Sequence, residues 1–461
     1  MKIVNLENTW KVAHLFFLLL IGMSVFYAVE RVCYMDSAYM FFRMVNTEKI
    51  IAEGGRWVNL LPQIIPWLML KIGCSLPALI LAFSIMHIGV LYLVFLLIGN
   101  WLNQKEIGLI FLLILILSVN ETFFDVVTET KFSLAFASLF LAFILSKKRK
   151  HILIGFVILI GGFFSHPIFT IYFGFIVLFT FLFGIRNNII KYALMGVLIA
   201  ALKSLFLGVT LYENELLSAG VFDPWNLFAN SFIHGYFAGL LSTQFVVIIG
   251  LVSLLLLNFI LLRKWSYLSL YIISVFLLYF VLAVVYSKGD SHMMIQKTLF
   301  VFHFALLLPY FYQIQWSEFK LKKVFYLGII IGYSMAVTAI IKTSEKYTQR
   351  VVILEQFMQH LPKSSDKFIM NENQINHEVI MGTWALPHET IIISKIKCHK
   401  ILSIKNFRER NDTLFLSKYP NAFRPAFGYP IENKDLNAAY FKMKEFEPNI
   451  WLDSTYFLGP R

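Results

Sequence analysis

Charge is scarce in this chain: 15% of its 461 residues are Asp, Glu, Lys or Arg, against 58% hydrophobic and 17% aromatic. That balance points away from an ordinary soluble domain and is the composition of a polytopic membrane protein. Cysteine is scarcer still. Cys33, Cys74 and Cys398 are too few and too scattered for a disulfide framework or a metal motif, and leave open only a meeting of Cys33 with Cys398 on the outer side. The chain has no nucleotide-binding glycine loop, no internal repeat and no low-complexity tract. A net charge of +13 invites a nucleic-acid reading, but Lys and Arg are concentrated in short loops between apolar runs. Such a pattern reports orientation in a bilayer and argues against a nucleic-acid partner.

What is abundant is apolar sequence. Runs long enough for a hydrocarbon core of roughly 30 Å recur from Val12 to about Ile341 and then stop. With the amino terminus in the cytoplasm, spans are expected at 12–29, 76–99, 105–119, 132–146, 151–165, 167–184, 191–209, 237–262, 268–286, 298–313 and 324–341. The alternative for the first run, with Lys2 and Lys11 ahead of it, is a cleaved signal peptide; its length and the lack of a small-x-small site after it favour an uncleaved span. Eleven crossings put the carboxyl terminus outside, and the charges agree. Lys105, the KKRK run at 147–150, Arg186 with Lys191, Arg263 with Lys264, and Lys320 with Lys322 and Lys323 all fall on the cytoplasmic side. The expected location is a cell inner (plasma) membrane, and the high Phe, Ile and Lys content suits a bacterial one.

The opposite face is chemically furnished. It receives Glu30, Asp36, Glu48 and Glu53 in a first outer loop at 30–75, Glu121, Asp125 and Glu129 in the second, then Glu213, Glu215 and Asp223, and last Asp290 with His292. Acids contribute little to orientation, so their clustering points to a site. Within ERVCYMDSAYMFFRMVNTEKIIAEGG at 30–55, Ala38, Phe41, Phe42 and Val45 recur at helical spacing, as in a helix lying at the membrane surface. Two readings of Asp36 stand: the N-cap of that helix, or a reactive carboxylate held where a lipid-linked substrate presents its head group. RWVNLLPQIIPWLMLK at 56–71 carries Pro62 and Pro66, which break a straight span, and reads as a surface-lying or re-entrant piece. Behind a transmembrane domain of 1–342, residues 343–461 are expected to form a small extracytoplasmic α/β domain, with an opening helix at 347–360 and short apolar runs KFIMN, ETIIIS and HKILSI.

An N-terminal span followed by an outward loop that opens on an acid, MDSAY continuing into a helix, resembles the membrane glycosyltransferases of the C superfold (GT-C), among them the protein O-mannosyltransferases and the aminoarabinose transferase acting on lipid A. In that family the loop often reads Asp-Glu-x-x-Tyr, and its aspartate is the catalytic carboxylate. Here Asp36 and Tyr39 match, and Ser37 replaces the second acid. The proline-interrupted segment and the acid opening TETKFSLAFASLFLAFIL continue the likeness, which makes Glu129 the second family-type acid. The resemblance implies an all-α polytopic scaffold that moves a sugar, with inversion, from a polyprenyl-phosphate donor in the bilayer to a glycan, lipid or protein acceptor at the outer face.

That chemistry needs a carboxylate to take the acceptor's proton and positive charge on the leaving phosphate. Asp36 is the candidate base, and Arg56, Lys131, Lys203, Lys288 and Lys297 are the cations on or near the outer side. Lys203 falls inside an expected span, which marks a site unless its stem snorkels to the interface. Arg56, after Gly54 and Gly55, either turns back towards Asp36 or anchors a surface helix. Glu121, Asp125 and Glu129 at four-residue spacing would share a helix face with Lys131 nearby, there to hold a divalent cation, orient Asp36 or merely solvate a loop. His166 in FFSHP suits a tight turn, and His292, two residues after Asp290, is too loosely placed for a metal motif. Two rivals stand beside this reading. One is an O-antigen-type polysaccharide polymerase or ligase, which short acid-rich loops disfavour; the other is a lipid or solute transporter, which calls for mid-span charges and pseudo-symmetry.

Overall fold

The computed structural model describes residues 5–117, 122–182, 186–207, 246–285, 300–301, 303–309, 321–407, 422–423, 431–443 and 449–459, most of them helical. Helix α1 (Leu6–Phe26) begins where the Asn5 side chain accepts from the Asn8 N–H at 2.9 Å, a side-chain N-cap. A short α2 (Ala28–Val32) and α3 (Met35–Thr47) follow, then a 3₁₀ segment Trp57–Gln63 that runs into α4 (Ile64–Lys71). The proline-interrupted stretch is thus two short helical pieces, as Pro62 and Pro66 require. Next come α5 (Leu76–Leu96), α6 (Lys105–Leu117), α7 (Glu129–Leu145), α8 (Ile152–Phe163), α9 (Phe169–Leu182), α10 (Arg186–Leu207), α11 (Val246–Leu261), α12 (Trp265–Val285) and α13 (Lys322–His360).

Among the described residues, four helices are long and apolar enough to cross a membrane: Leu6–Phe26, Leu76–Trp101, Ile189–Phe206 and Lys322–His360. Shorter apolar helices, including Ile152–Phe163 and Phe169–Leu182, lie where further spans are expected. A helix of 12 to 14 residues rises only about 20 Å, less than a full hydrocarbon core.

The centre of the bundle is α6 and α7. Every residue from Ile107 to Leu117 is buried, and so is nearly all of α7, because a helix that is apolar all round must be enclosed by others. Around them α1, α8, α10 and α12 turn large apolar side chains outward, among them Phe26, Leu153, Leu194, Phe206 and Phe276. That distribution is what a lipid-facing surface requires. Close helix approach is set by small residues. Trp10 lies flat on Phe95 with ring centroids 4.0 Å apart, in a slot where a Cβ at Gly99 or Gly108 would run into the indole.

Helix α13 joins the bundle to the C-terminal segment without a break. Its 39 residues rise about 58 Å, roughly twice a hydrocarbon core. The compositional change near Thr343 therefore falls inside one helix, and the expected last crossing and opening helix are its two halves. The buried stripe keeps its helical period throughout, through Phe325, Ile329, Tyr333, Ala336, Ile340, Ser344, Tyr347, Val351, Leu354 and Met358. Beyond it lies a parallel three-stranded sheet ordered β2-β1-β5, built from β1 (Lys367–Asn371), β2 (Ser403–Phe407) and β5 (Ile450–Trp451), with an antiparallel pair β3 (Ala422–Phe423) and β4 (Ile431–Glu432) beside it. Parallel pairing of β1 with β2 needs a crossover, and helix α14 (Leu386–Ile393) supplies it. Of the three short apolar runs, KFIMN is a strand and HKILSI leads into one. ETIIIS lies on α14, which has Pro387 in its first turn and is buried on every side.

Candidate functional site

Helix α3 carries most of the residues that mark the first loop. Ala38, Phe41, Phe42 and Val45 form its apolar stripe and are fully buried. They are covered by the chain itself: α14 packs along α3, and Phe42 meets His388, Phe423 and Phe441 with ring centroids 5.0, 5.1 and 5.0 Å away. The surface-lying helix of the sequence reading is thus enclosed by the C-terminal segment. Asp36, Tyr39 and Arg43, all part-exposed, share one face of α3 at helical spacing.

The start of α3 bears on the N-cap reading of Asp36. The N-cap position is Tyr34, without a side-chain cap, and Asp36 lies in the first turn, half-buried. Capping comes from a distant residue. Glu389 of α14 accepts from the Met35 N–H at 2.8 Å, and Met35 holds a left-handed φ of 42°. Glu389 is wholly buried and ion-paired to Arg350 of α13. Arg350 also donates to the carbonyls of Ile380 at 2.8 Å and Cys33 at 3.3 Å, so one guanidinium ties α13, the C-terminal segment and the first loop together. Burial, opposed by Arg350 and by the Met35 N–H, lifts the Glu389 carboxyl above its ordinary value.

Ser37, which stands where the family pattern has its second acid, donates to Asp125 Oδ1 at 3.1 Å and accepts from the Val127 N–H at 3.3 Å. Asp125 is fully buried and also accepts from the Thr128 hydroxyl. Glu129, at the start of α7, accepts from Arg56 at 2.8 Å and from Asn59 at 3.2 Å, with Arg56 and Glu129 both largely shielded from solvent. The two acid-bearing loops therefore meet, and Arg56 turns to Glu129. The helix face expected to be shared by Asp125 and Glu129 does not form. Residues 125–128 are irregular because Asp125 spends its oxygens on Ser37 and Thr128, so Asp125 and Glu129 point to different partners. Glu121 lies outside the described residues, among which no group of three His, Cys, Asp or Glu could hold a metal ion.

The remaining candidates scatter. Lys131 is buried and its ammonium donates to the carbonyls of Thr122 and, at 3.0 Å, Asp125, clamping the second loop. Lys203 reaches the carbonyl of Phe163 at 2.8 Å, where a cation satisfies the C-terminal end of α8. His166 accepts from the Ile168 N–H at 3.2 Å and shapes the turn between α8 and α9. Lys288, His292, Asp290 and Lys297 lie outside the described residues. All three cysteines are free, so Cys33 and Cys398 form no bridge.

Tyr39 sits among charged and aromatic groups. Its hydroxyl accepts from Arg43 at 2.9 Å and donates to Glu53 at 3.4 Å, while Arg43 and Glu53 are paired to each other. Its ring stands edge-on to His388 at 5.3 Å and to Trp384 at 6.0 Å. Burial, then the Glu53 charge, raises the Tyr39 phenol above its ordinary value. A separate hollow of about 660 Å³ opens between the end of α13 and residues 455–459, and none of these residues lines it.

Sequence reasoning missed Arg31, Arg350, His388 and Glu389. Arg31 is wholly buried, donates to Ser24 Oγ and lies 4.1 Å over the Phe123 ring, and burial pulls its pKa down to about 9. The signal for the other three was slight: a His and a Glu side by side ahead of an isoleucine run, and an arginine on the apolar stripe of a long helix. No family model matches the chain, and neither does any curated protein or solved structure.

Proposed function

We propose that this protein is a membrane glycosyltransferase of the GT-C kind, which takes a sugar from a polyprenyl-phosphate donor at the outer face of a cell inner membrane. The observation that carries the reading is the meeting of the two acid-bearing loops, Ser37 on Asp125 and Arg56 on Glu129, next to Asp36 in the first turn of α3. The resemblance in MDSAY supplies the chemical class, and the outward apolar faces of α1, α8, α10 and α12 support lateral access for a lipid tail.

In this mechanism the acceptor hydroxyl attacks the anomeric carbon while Asp36 takes its proton. The bond from that carbon to the phosphate oxygen breaks, the configuration inverts, and polyprenyl phosphate leaves. Glu129 fixes the orientation of Arg56 through their ion pair. The test is purified full-length protein incubated with radiolabelled polyprenyl-phosphate sugars and a membrane extract as acceptor source. Label should move to acceptor with the native chain and stop with Asp36→Asn, which should insert and fold normally. Transfer by a well-folded Asp36→Asn protein removes Asp36 from the reaction. No transfer from any polyprenyl-phosphate sugar by the native chain removes the class.

A further inference from the structure

From Thr130 to Tyr212 the chain has no Asp or Glu, yet it carries Lys131, the KKRK run at 147–150, Arg186, Lys191 and Lys203. Lys131 and Lys203 reach backbone carbonyls. The KKRK run is placed differently. It forms an ordered 3₁₀ turn, Lys147–Lys150, between α7 and α8, and the Ser146 hydroxyl starts it by accepting from the Lys148 N–H at 3.1 Å. Tyr192 of α10 donates to the Arg149 carbonyl at 2.8 Å, and a Cβ at Gly155 of α8 would run into the same tyrosine ring. The start of α10, with Lys191, is thereby seated against the turn and against α8. Lys148 extends over the indole of Trp101, 4.3 Å from the ring centroid, at the end of the helical stretch Leu76–Trp101.

Charge and apolar surface adjoin here. Lys147, Arg149 and Lys191 are exposed and Lys148 is part-exposed, and among the described residues none of them pairs with an acid. The described acids at this end of the bundle are Glu7, held by Lys105, and Glu106, which lies within electrostatic reach of Tyr326. One unpaired carboxylate thus stands against four cations. Directly beyond the turn, α8 and α10 hold Leu153, Val157, Ile190, Leu194 and Val197 outward. A cationic turn at the head of exposed apolar helix faces fits an anionic amphiphile, with its phosphate on the cations and its chains along the helices. A soluble anion would leave the apolar faces unused. A zwitterionic headgroup would find little for its amine, because the Trp101 ring that could hold a quaternary ammonium is already covered by Lys148.

We infer that the Lys147–Lys150 turn, with Lys191 and Trp101, binds the headgroup of an anionic phospholipid whose acyl chains lie along α8 and α10. Lys147, Arg149 and Lys191 hold the phosphate, the Trp101 ring fixes Lys148 beside them, and the indole marks the boundary between headgroup and chains. Any basic loop biases orientation; an ordered turn tied to α10 and to Trp101 adds selective binding. The inference rests on the membrane character of the chain and not on the transferase reading.

The test is native mass spectrometry of the full-length protein in an uncharged detergent, titrated with phosphatidylglycerol or with phosphatidylcholine of the same acyl chains. Phosphatidylglycerol should bind first, at a concentration lower by about fivefold or more, the effect of a single well-placed cation. Lys147→Gln, Lys148→Gln and Arg149→Gln combined should bring the two lipids within about twofold of each other, with thermal unfolding unchanged. Lys148→Gln alone, which serves if the triple variant fails to fold, should lower the preference by about twofold. Lys322→Gln with Lys323→Gln removes cations from the start of α13 and should leave the preference as it is in the native chain. Glycerol phosphate, which has the headgroup chemistry without the chains, should not displace the lipid. Equal binding of the two lipids by the native chain overturns the inference. So does a native-like preference in a folded variant of the turn, an equal loss in the α13 variant, or displacement by glycerol phosphate.

Discussion

The two halves of α13 are held by different physics. Towards its start the helix packs as membrane helices do: Gly332 lets the backbone approach α6 closely, and the chief polar contact is Tyr333 donating to the Leu109 carbonyl at 2.7 Å. Towards its end the same face carries Ser344, which donates to the Tyr27 hydroxyl at 3.1 Å, and Tyr347, stacked on Phe124 at 4.3 Å. Arg350 is paired with Glu389. One stripe thus changes from shape complementarity to charge and hydrogen bonding midway along a single helix. The first half builds a scaffold that many apolar sequences would satisfy. The second half specifies where the loop after α1 and the C-terminal segment meet.

If that contrast is right, the largest loss should come from the charged seam. Glu389→Ala strands Arg350 in the interior and leaves the Met35 N–H without its acceptor, so stability should fall by about 3–5 kcal/mol, read by thermal or denaturant unfolding in detergent. The double replacement Arg350→Met with Glu389→Leu should cost less than Glu389→Ala alone, because no charge is then left unpaired. Equal losses would mean that the pair contributes packing only. A singly altered protein that unfolds no more easily than the native chain would erase the distinction between the halves.

The apolar half should answer to volume instead. At Gly332 a Cβ would lie 2.6 Å from Leu113 Cδ1 and 3.1 Å from Val247 Cγ1, so Gly332→Leu should destabilise the bundle by about 1–3 kcal/mol through overpacking. Because no charge is involved, that loss should not change with pH between 7 and 5. A pH-dependent loss would show that the two halves are coupled.

The gentlest probe is acid. His388 has a folded pKa near 3 against an ordinary 6.5, so the unfolded chain takes up a proton that the folded chain refuses. The stability this contributes is complete above pH 6.5 and is lost as pH falls towards 3, at about 1.4 kcal/mol per pH unit. Unfolding free energies between pH 7 and 5 should therefore slope in the native chain and flatten by that amount in His388→Leu. Identical slopes would show that the imidazole is not enclosed as the seam requires.

Much of the scaffold was legible beforehand. The apolar stripes of α1, α5 and α13 are local patterns, and so are the breaks at Pro62 and Pro66 and the short strand KFIMN. The candidate site was legible only in part. Asp36 stood out as an acid just after an apolar run, and Tyr39 and Glu129 through the family resemblance, but their partners did not. Met35 and Glu389 lie 354 residues apart, and Ser37 and Asp125 lie 88 apart. No periodicity reports a contact at that separation. The helical spacing of Asp125 and Glu129 misled for a related reason: the side chains of Ser37 and Thr128 compete for Asp125 and keep residues 125–128 out of a helix.

By itself, the order of residues determined that long apolar stretches would be helices packed together and that acids would gather in the loops between them. Both follow from nearest-neighbour chemistry and from the cost of leaving a backbone unsatisfied in an apolar medium. The tertiary structure alone decided that Glu389 would cap α3, that Ser37 would bind Asp125, and that His388 would be sealed without a partner. Those outcomes depend on which distant segments share a buried space, where an unpaired charge or N–H costs far more than in water and must find whatever partner the fold brings near.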